Sequence, residues 1–349
     1  STTTWDNGWY VVNSTVTINS QVTVSGTVHL ILADGASLTV NGGIKVAENN
    51  SFTVYAQSVE KNMGTLTAVG GNQSAGIGNR YNESVGNITI NGGTVTAIGS
   101  YAAGIGGGNQ GSGGNITING GTVKATGGGY AAGIGGGRSG SVGNITIHGG
   151  NVTATGGNVA TTGQRVAGIG SGFMGSGGIL KTGEDGHALI VVNGGIGDKR
   201  NQKSWSGIIF EGDNGKVYGN PTIQENIEIP SGKTLTVPEN TTLTVKDGVT
   251  LTNNGTITGN GTLDGEGNLV GSGTVAQTIT NNLKKDSAVS VTVSPSSATY
   301  GSKVSITATI SRATNAITLA AENQNQVEFF VGTNSNKKSL GIVNVSGDT

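Results

Sequence analysis

The sequence predicts an all-β chain: a parallel β-helix, in which each turn of chain is one coil of a solenoid, over residues 1–280, and a β-sandwich fragment over 287–349. Three observations predict it. AGIG begins at Ala75, Ala103, Ala132 and Ala167, so Ile77, Ile105, Ile134 and Ile169 follow one another at 28, 29 and 35 residues. GNITI begins at Gly86, Gly114 and Gly143, and each copy leads into a glycine pair, Gly92-Gly93, Gly120-Gly121 and Gly149-Gly150. Glycine supplies 65 of 349 residues without a three-residue period, and proline only 4, which excludes collagen. Repeats of roughly 20–50 residues belong to solenoids or propellers. Here the repeats hold short Thr/Val/Ala strands between glycine turns, with none of the helical periodicity of other repeat families.

The elements follow in chain order. Trp5, Trp9 and Tyr10 precede the first regular strand and are expected to cap the open end of the solenoid, an exposed binding feature being the alternative. Strands at Thr15–Ile18, Val22–Val24, Val28–Leu32, Leu38–Val40, Ile44–Val46, Phe52–Ala56 and Thr65–Val69 are separated by turns such as Ser25-Gly26 and Asp34-Gly35. In the regular repeats Ile77, Ile105, Ile134 and Ile169 should form one inner ladder. Ile88, Ile116 and Ile145, with Ile90, Ile118 and Ile147, form a second, and Val95, Val123 and Val152 a third. Asn91, Asn119, His148 and Asn193 precede the double glycines and read as one corner ladder of side chains bonded to backbone, with His148 structural.

An insertion around Lys181–Gly186 and a polar loop at Asp198–Ser206 interrupt the repeat. Farther on, Leu235, Leu243 and Leu251 are eight apart, and Leu251, Ile257, Leu263, Leu269 and Val275 six apart. That step per face predicts small triangular coils continuing the same helix to about Ala276. Longer alternating strands follow Lys284-Lys285-Asp286, as a sandwich requires. The fragment is short of the roughly 100 residues of an immunoglobulin-like domain.

Composition excludes several functions. Lys+Arg 19 against Asp+Glu 20 leaves a net charge of -1 without basic blocks, which speaks against nucleic acid. No apolar run approaches the length of a membrane span. Cysteine is absent, and the three histidines lie far apart, so no metal site or other cofactor is expected. A Ca²⁺ ion in the loops around Asp198–Asp213 is the one metal reading left open. The chain reads as a mature or excised piece of a longer polypeptide, and as a monomer within it.

Two sets of residues are candidates for function. Four residues before each repeat isoleucine stand Gln73, Tyr101, Tyr130 and Arg165, and four after it Tyr81, Asn109, Arg138 and Phe173. These are the large side chains of an otherwise small-residue coil. On one exposed face, Tyr101 and Tyr130 would be consecutive rungs of an aromatic platform, with Tyr81, Arg138, Arg165, Phe173 and Trp205 completing a ligand-binding set for sugar rings. The alternative is that the tyrosines cover glycine-rich loops. Glycosidase chemistry instead needs two carboxyls roughly 5–9.5 Å apart. The regular repeats are almost empty of acids, so a catalytic pair would come from Glu184, Asp185, Asp198, Glu211 and Asp213, whose plainer reading is solvated loop charge.

The run Val28–Gly43, the phrase SFTVYAQS and the repeated GNITINGGTVTA and AAGIGGG resemble large surface proteins of gut-type Firmicutes. The resemblance covers about residues 11–275 and implies a right-handed parallel β-helix of the pectate-lyase-like superfamily. Residues 287–349 resemble a bacterial immunoglobulin-like repeat. Together these imply a secreted or wall-attached protein that meets a glycan or another host or cell-surface macromolecule. The expectation is a noncatalytic module, adhesive, carbohydrate-binding or a rigid spacer. A polysaccharide-active hydrolase or lyase, with its site around 181–213, is the alternative.

Overall fold

The computed structural model describes residues 3–58, 62–177, 179–183, 185–197 and 204–285, together with the strands Ser287–Ser294, Ser305–Arg312, Gln326–Val331 and Lys338–Asn344. Among the described residues no helix is long and apolar enough to cross a membrane. The chain divides into two compact units at Lys284/Lys285.

The first unit opens as a parallel β-helix whose chain visits three faces in turn. The first face stacks Thr3–Trp5, Val22–Val24, Ile44–Val46 and then the Ile-Gly pairs from Ile77 to Ile169. The second runs from Gly8–Val12 through the Asn-Ile-Thr-Ile strands to Leu180–Lys181, and the third from Thr15–Ile18 to Leu189–Asn193. Strand side chains alternate in and out, so Ile88 and Ile90 are buried while Asn87 and Thr89 face outward. The expected ladders are the observed Cα partners: Ile77, Ile105, Ile134 and Ile169 in one row, Ile88, Ile116 and Ile145 in another, Val95, Val123 and Val152 in a third. Coil-to-coil backbone hydrogen bonds hold each coil about 4.8 Å from the next. Apolar burial between stacked β-branched rows supplies the stabilisation. The glycine after each isoleucine has a local cause. Gly106 and Gly135 lie at φ 129° and 130°, and a Cβ on either would overlap the carbonyl oxygen of the next coil's glycine.

Both ends of this helix are closed by tryptophan. Trp5 is buried in the first core, stacked on Tyr10 at 5.4 Å and beside Phe52 at 6.2 Å. Strand alternation turns the Trp9 indole outward, 61% exposed. At the other end Ile196 bridges Ile169, and Trp205, 2% exposed, donates its indole N–H to Leu180 O at 3.0 Å. Thr182 and Ser206 tie the flanking segments together, with Ser206 N–H on Thr182 Oγ1 at 2.6 Å.

The corner asparagines correct two expectations. Asn119 Nδ2 donates to the Asn91 side-chain oxygen at 2.7 Å, so the row is bonded side chain to side chain rather than to backbone. Asn193 belongs elsewhere. It ends a third-face strand and partners Thr155, donating to its hydroxyl at 3.1 Å. A parallel row, Asn87, Asn115 and Asn144, carries the same bonding at 2.9 Å per step.

Beyond Gly207 the molecule departs from one continuous helix. Gly207–Glu211 and Asn214–Tyr218 form an antiparallel hairpin within the third sheet, and Thr234–Val237, Thr256–Gly259 and Thr274–Val275 continue that sheet in the reversed direction. Two further faces, from Thr222–Ile223 and from Ile227–Ile229, complete a second solenoid. Leu235, Leu243 and Leu251 point into its core from successive faces, as do Ile257, Leu263 and Leu269, so the coils are triangular as the spacing implies. Pairing persists past Ala276, with Thr280 beside Thr262 and Ile279 and Leu283 buried.

The two cores lie on opposite sides of the shared strands. Ile190, Val192 and Ile209 enter the first core, whereas Leu189, Ile208 and Phe210 enter the second. Strand direction and inward side therefore reverse together, which leaves the sense of winding unchanged from one solenoid to the next.

In the second unit Ser287–Ser294 pairs antiparallel with Ser305–Arg312, and Gln326–Val331 with Lys338–Asn344.

Candidate functional site

The sites of interest are the corners on either side of the Ile-Gly strands. A two-residue strand leaves the chain little sheet to lie in, so each coil spends its extra residues on the loops before and after it. Gln73, Tyr101 and Tyr130 occupy one position before the strand, at φ 54°, 53° and 68°. Asn82, Gln110, Ser139 and Met174 occupy one position after it, at φ 55°, 60°, 56° and 64°. Left-handed backbone at the same place in each coil lets the loops nest. Gln110 N–H bonds Arg138 O at 2.7 Å, and Ser139 N–H bonds Phe173 O at 2.8 Å.

The two corners meet over the short strand. Phe173 N–H donates to Tyr130 O at 2.8 Å, Asn109 N–H to Gln73 O at 3.2 Å, and Asn109 Nδ2 to Gln73 Oε1 at 3.2 Å. The Tyr130 and Phe173 rings lie 5.7 Å apart, and Arg138 stands over the Tyr130 ring at 4.9 Å. Tyr81 OH bonds Gln110 Oε1 at 2.9 Å. The structure thus brings Tyr81, Tyr130, Arg138 and Phe173 onto one loop surface. Tyr101, 54% exposed, belongs to the same surface but does not stack on Tyr130; its ring lies over Gly129, whose Cβ would stand 3.5 Å from Cε1. The platform is therefore staggered, and one tyrosine also shields a glycine loop. Arg165 reaches Gly156 O at 3.1 Å and keeps its side chain exposed.

At the N-terminal end of this surface a cleft of about 760 Å³ is lined by Gln21, Gly42, Gln73, Ser74, Arg80 and Tyr81, with Gly71 and Asn72. It opens where the coils lengthen: Val22 and Ile44 are 22 residues apart, Ile77 and Ile105 28, and the added loops overhang the shorter coils. Arg80 is exposed at its rim, while Lys45 neutralises Glu83 at 2.7 Å. The Oδ1 of Asn109 is shielded and has no hydrogen-bond partner within the protein, so the surface keeps an acceptor in reserve.

The other candidates are placed differently. Trp205 is a core plug and has no ligand-facing surface, because the first helix ends on it. Asp213 sits in the hairpin turn, 81% exposed, with Lys233 3.4 Å away. Glu211 ends the strand before that turn and lies close enough to Tyr218 to help raise its phenol, burial being the larger cause. Asp185 is exposed, its carbonyl 3.3 Å from His187 Nδ1. Glu184 and Asp198 lie outside the described residues. Among the described residues no group of three His, Asp or Glu could hold a metal ion.

Among the described residues a perturbed carboxyl is found where the sequence did not single one out. Glu225, from the second solenoid, lies against the glycine corner of the first, its Oε1 3.6 Å from where a Gly120 Cβ would be. Burial raises its carboxyl above the ordinary value, and the Gly121 N–H and His187 oppose that rise. Asn151 Nδ2 reaches Asn226 O beside it, at 3.4 Å. Nothing local in PTIQENIEIP marks Glu225, since the corner it fills lies about a hundred residues away in the chain.

Residues 62–79, 88–109, 116–138 and 145–173 match the beta helix repeat family, four segments that follow the four Ile-Gly coils. No curated protein and no solved structure matches the chain.

Proposed function

We propose that the chain is a noncatalytic surface module whose corner loops bind carbohydrate, carried on a rigid solenoid. One observation carries the reading: Tyr101 and Tyr130 stand at left-handed corner positions, and Phe173 and Arg138 meet the Tyr130 ring where the corners join over the Ile-Gly strands. Left-handed backbone favours glycine or asparagine, and a tyrosine there costs about 1–2 kcal/mol. A chain so rich in glycine keeps large side chains at that position for what they contact. Flat rings beside guanidinium and amide groups suit pyranoses, whose C–H faces are apolar and whose edges are hydroxyl. The resemblance to Firmicutes surface proteins, and of residues 287–349 to an immunoglobulin-like stalk repeat, supports a secreted or wall-attached setting.

A glycan-array screen of the intact chain, with reducing-sugar release followed on every glycan retained, tests this. Binding without release, weakened about tenfold or more by Tyr130→Ala, is expected from the loss of one stacking ring with its cation partner. Release of reducing ends abolished by Glu211→Gln or Asp213→Asn would overturn it in favour of a hydrolase or lyase.

A further inference from the structure

A second group of rings stands on the outer side of the second face, at the first three coils and away from the corner loops. Trp9 and His29 are Cα partners on adjacent strands, and Tyr55 partners Ile31 one coil on. The Trp9 and His29 rings stack at 4.3 Å with planes 19° apart, and Tyr55 lies 5.3 Å from Trp9. His29 stacks on the indole, and Trp9 remains 61% exposed. Trp5 and Trp205, by contrast, are 8% and 2% exposed. Beneath the stack His29 Nδ1 is shielded from solvent and has no hydrogen-bond partner within the protein.

The row through Trp9 and His29 continues along the axis as Thr53, Thr89, Thr117 and Thr146, and its first charged side chain is Lys181. We infer that Trp9, backed by His29 and flanked by Tyr55, is a second carbohydrate site that takes a pyranose ring of a neutral glycan. The exposed indole matches the apolar C–H face of a pyranose, and the Tyr55 phenol beside it matches the ring's hydroxyls. Neutrality follows from the uncharged row, in contrast to the arginines of the corner loops.

Because Trp9 is the one exposed tryptophan of three, acrylamide quenching of indole emission reads this site directly. Cellohexaose, mannohexaose and xylohexaose are the neutral probes, and oligogalacturonate the charged one. At least one neutral hexasaccharide is expected to lower the quenching constant of the intact chain, and oligogalacturonate to leave it unchanged. The protection should persist in the Tyr101→Ala/Tyr130→Ala double variant; its loss there would assign the sugar to the corner loops and overturn the Trp9 site, whereas unchanged overall glycan affinity there would count against the corner-loop reading alone. Trp9→Ala should lose calorimetric binding of the protecting sugar while keeping its far-ultraviolet circular dichroism. Protection by no neutral hexasaccharide, stronger protection by oligogalacturonate, or shielding that grows with protein concentration would each overturn the inference.

Discussion

Tyr101 and Tyr130, at φ 53° and 68°, show how one backbone angle separates stability from function. A glycine there would relieve about 1–2 kcal/mol of left-handed strain and lose a comparable amount to unfolded-state freedom. Tyr101→Gly is therefore expected to change unfolding free energy by no more than about 1 kcal/mol in a denaturant titration. The same variant should bind glycan less tightly. Glu225 offers a different residue-level test. Its folded carboxyl is raised by burial, so its contribution to stability is present in acid and is lost as pH rises through the folded value. Glu225→Gln should raise Tm near neutrality, and the gain should vanish in acid, where the native carboxyl is already protonated. An equal gain at both pH values would show that its charge is not the cause. The exposed tyrosines were visible in the sequence as large residues at a fixed offset from each isoleucine. Trp205 was misread because its indole is buried by Leu180 and Tyr218, neither of them near it in sequence.

At the level of the strand and its corner, the repeat was readable because each coil sees the same neighbours. An isoleucine recurring every 28 or 29 residues stacks on itself, so spacing alone identifies the inner row. The glycine beside it is readable for the same reason: a Cβ on Gly135 would overlap Gly170 O, and Gly78 and Gly106 meet the same constraint against the next coil. Gly135→Ala is expected to destabilise the helix by about 3 kcal/mol or more, through overpacking and strain at positive φ, measured by chemical denaturation. An effect below about 1 kcal/mol would mean the coils can separate locally at that corner. Asn193 shows the limit of motif reading. Asn-Gly-Gly also follows a third-face strand, and an identical tripeptide cannot reveal which corner it turns.

For the whole molecule, the decisive feature is the sheet buried on both faces. Leu189–Asn193 and Gly207–Glu211 carry continuous apolar runs instead of alternating ones, because each side meets a different core. Phe210 fills the second core from that sheet. Phe210→Ala should cost about 3–5 kcal/mol there. Scanning calorimetry is expected to show the second solenoid melting earlier while the first keeps its transition; one unshifted transition would place Phe210 outside the second core. The sequence by itself determined the β-helix, its inner rows, the triangular coils near the C-terminal end of the first unit and the large side chains at the corners, since all of these follow from contacts that repeat at a fixed separation. The reversal at the hairpin and the seam at Glu225 depended on tertiary structure. Each arises where segments meet once, at a separation no period announces, and only their shared burial selects the partner.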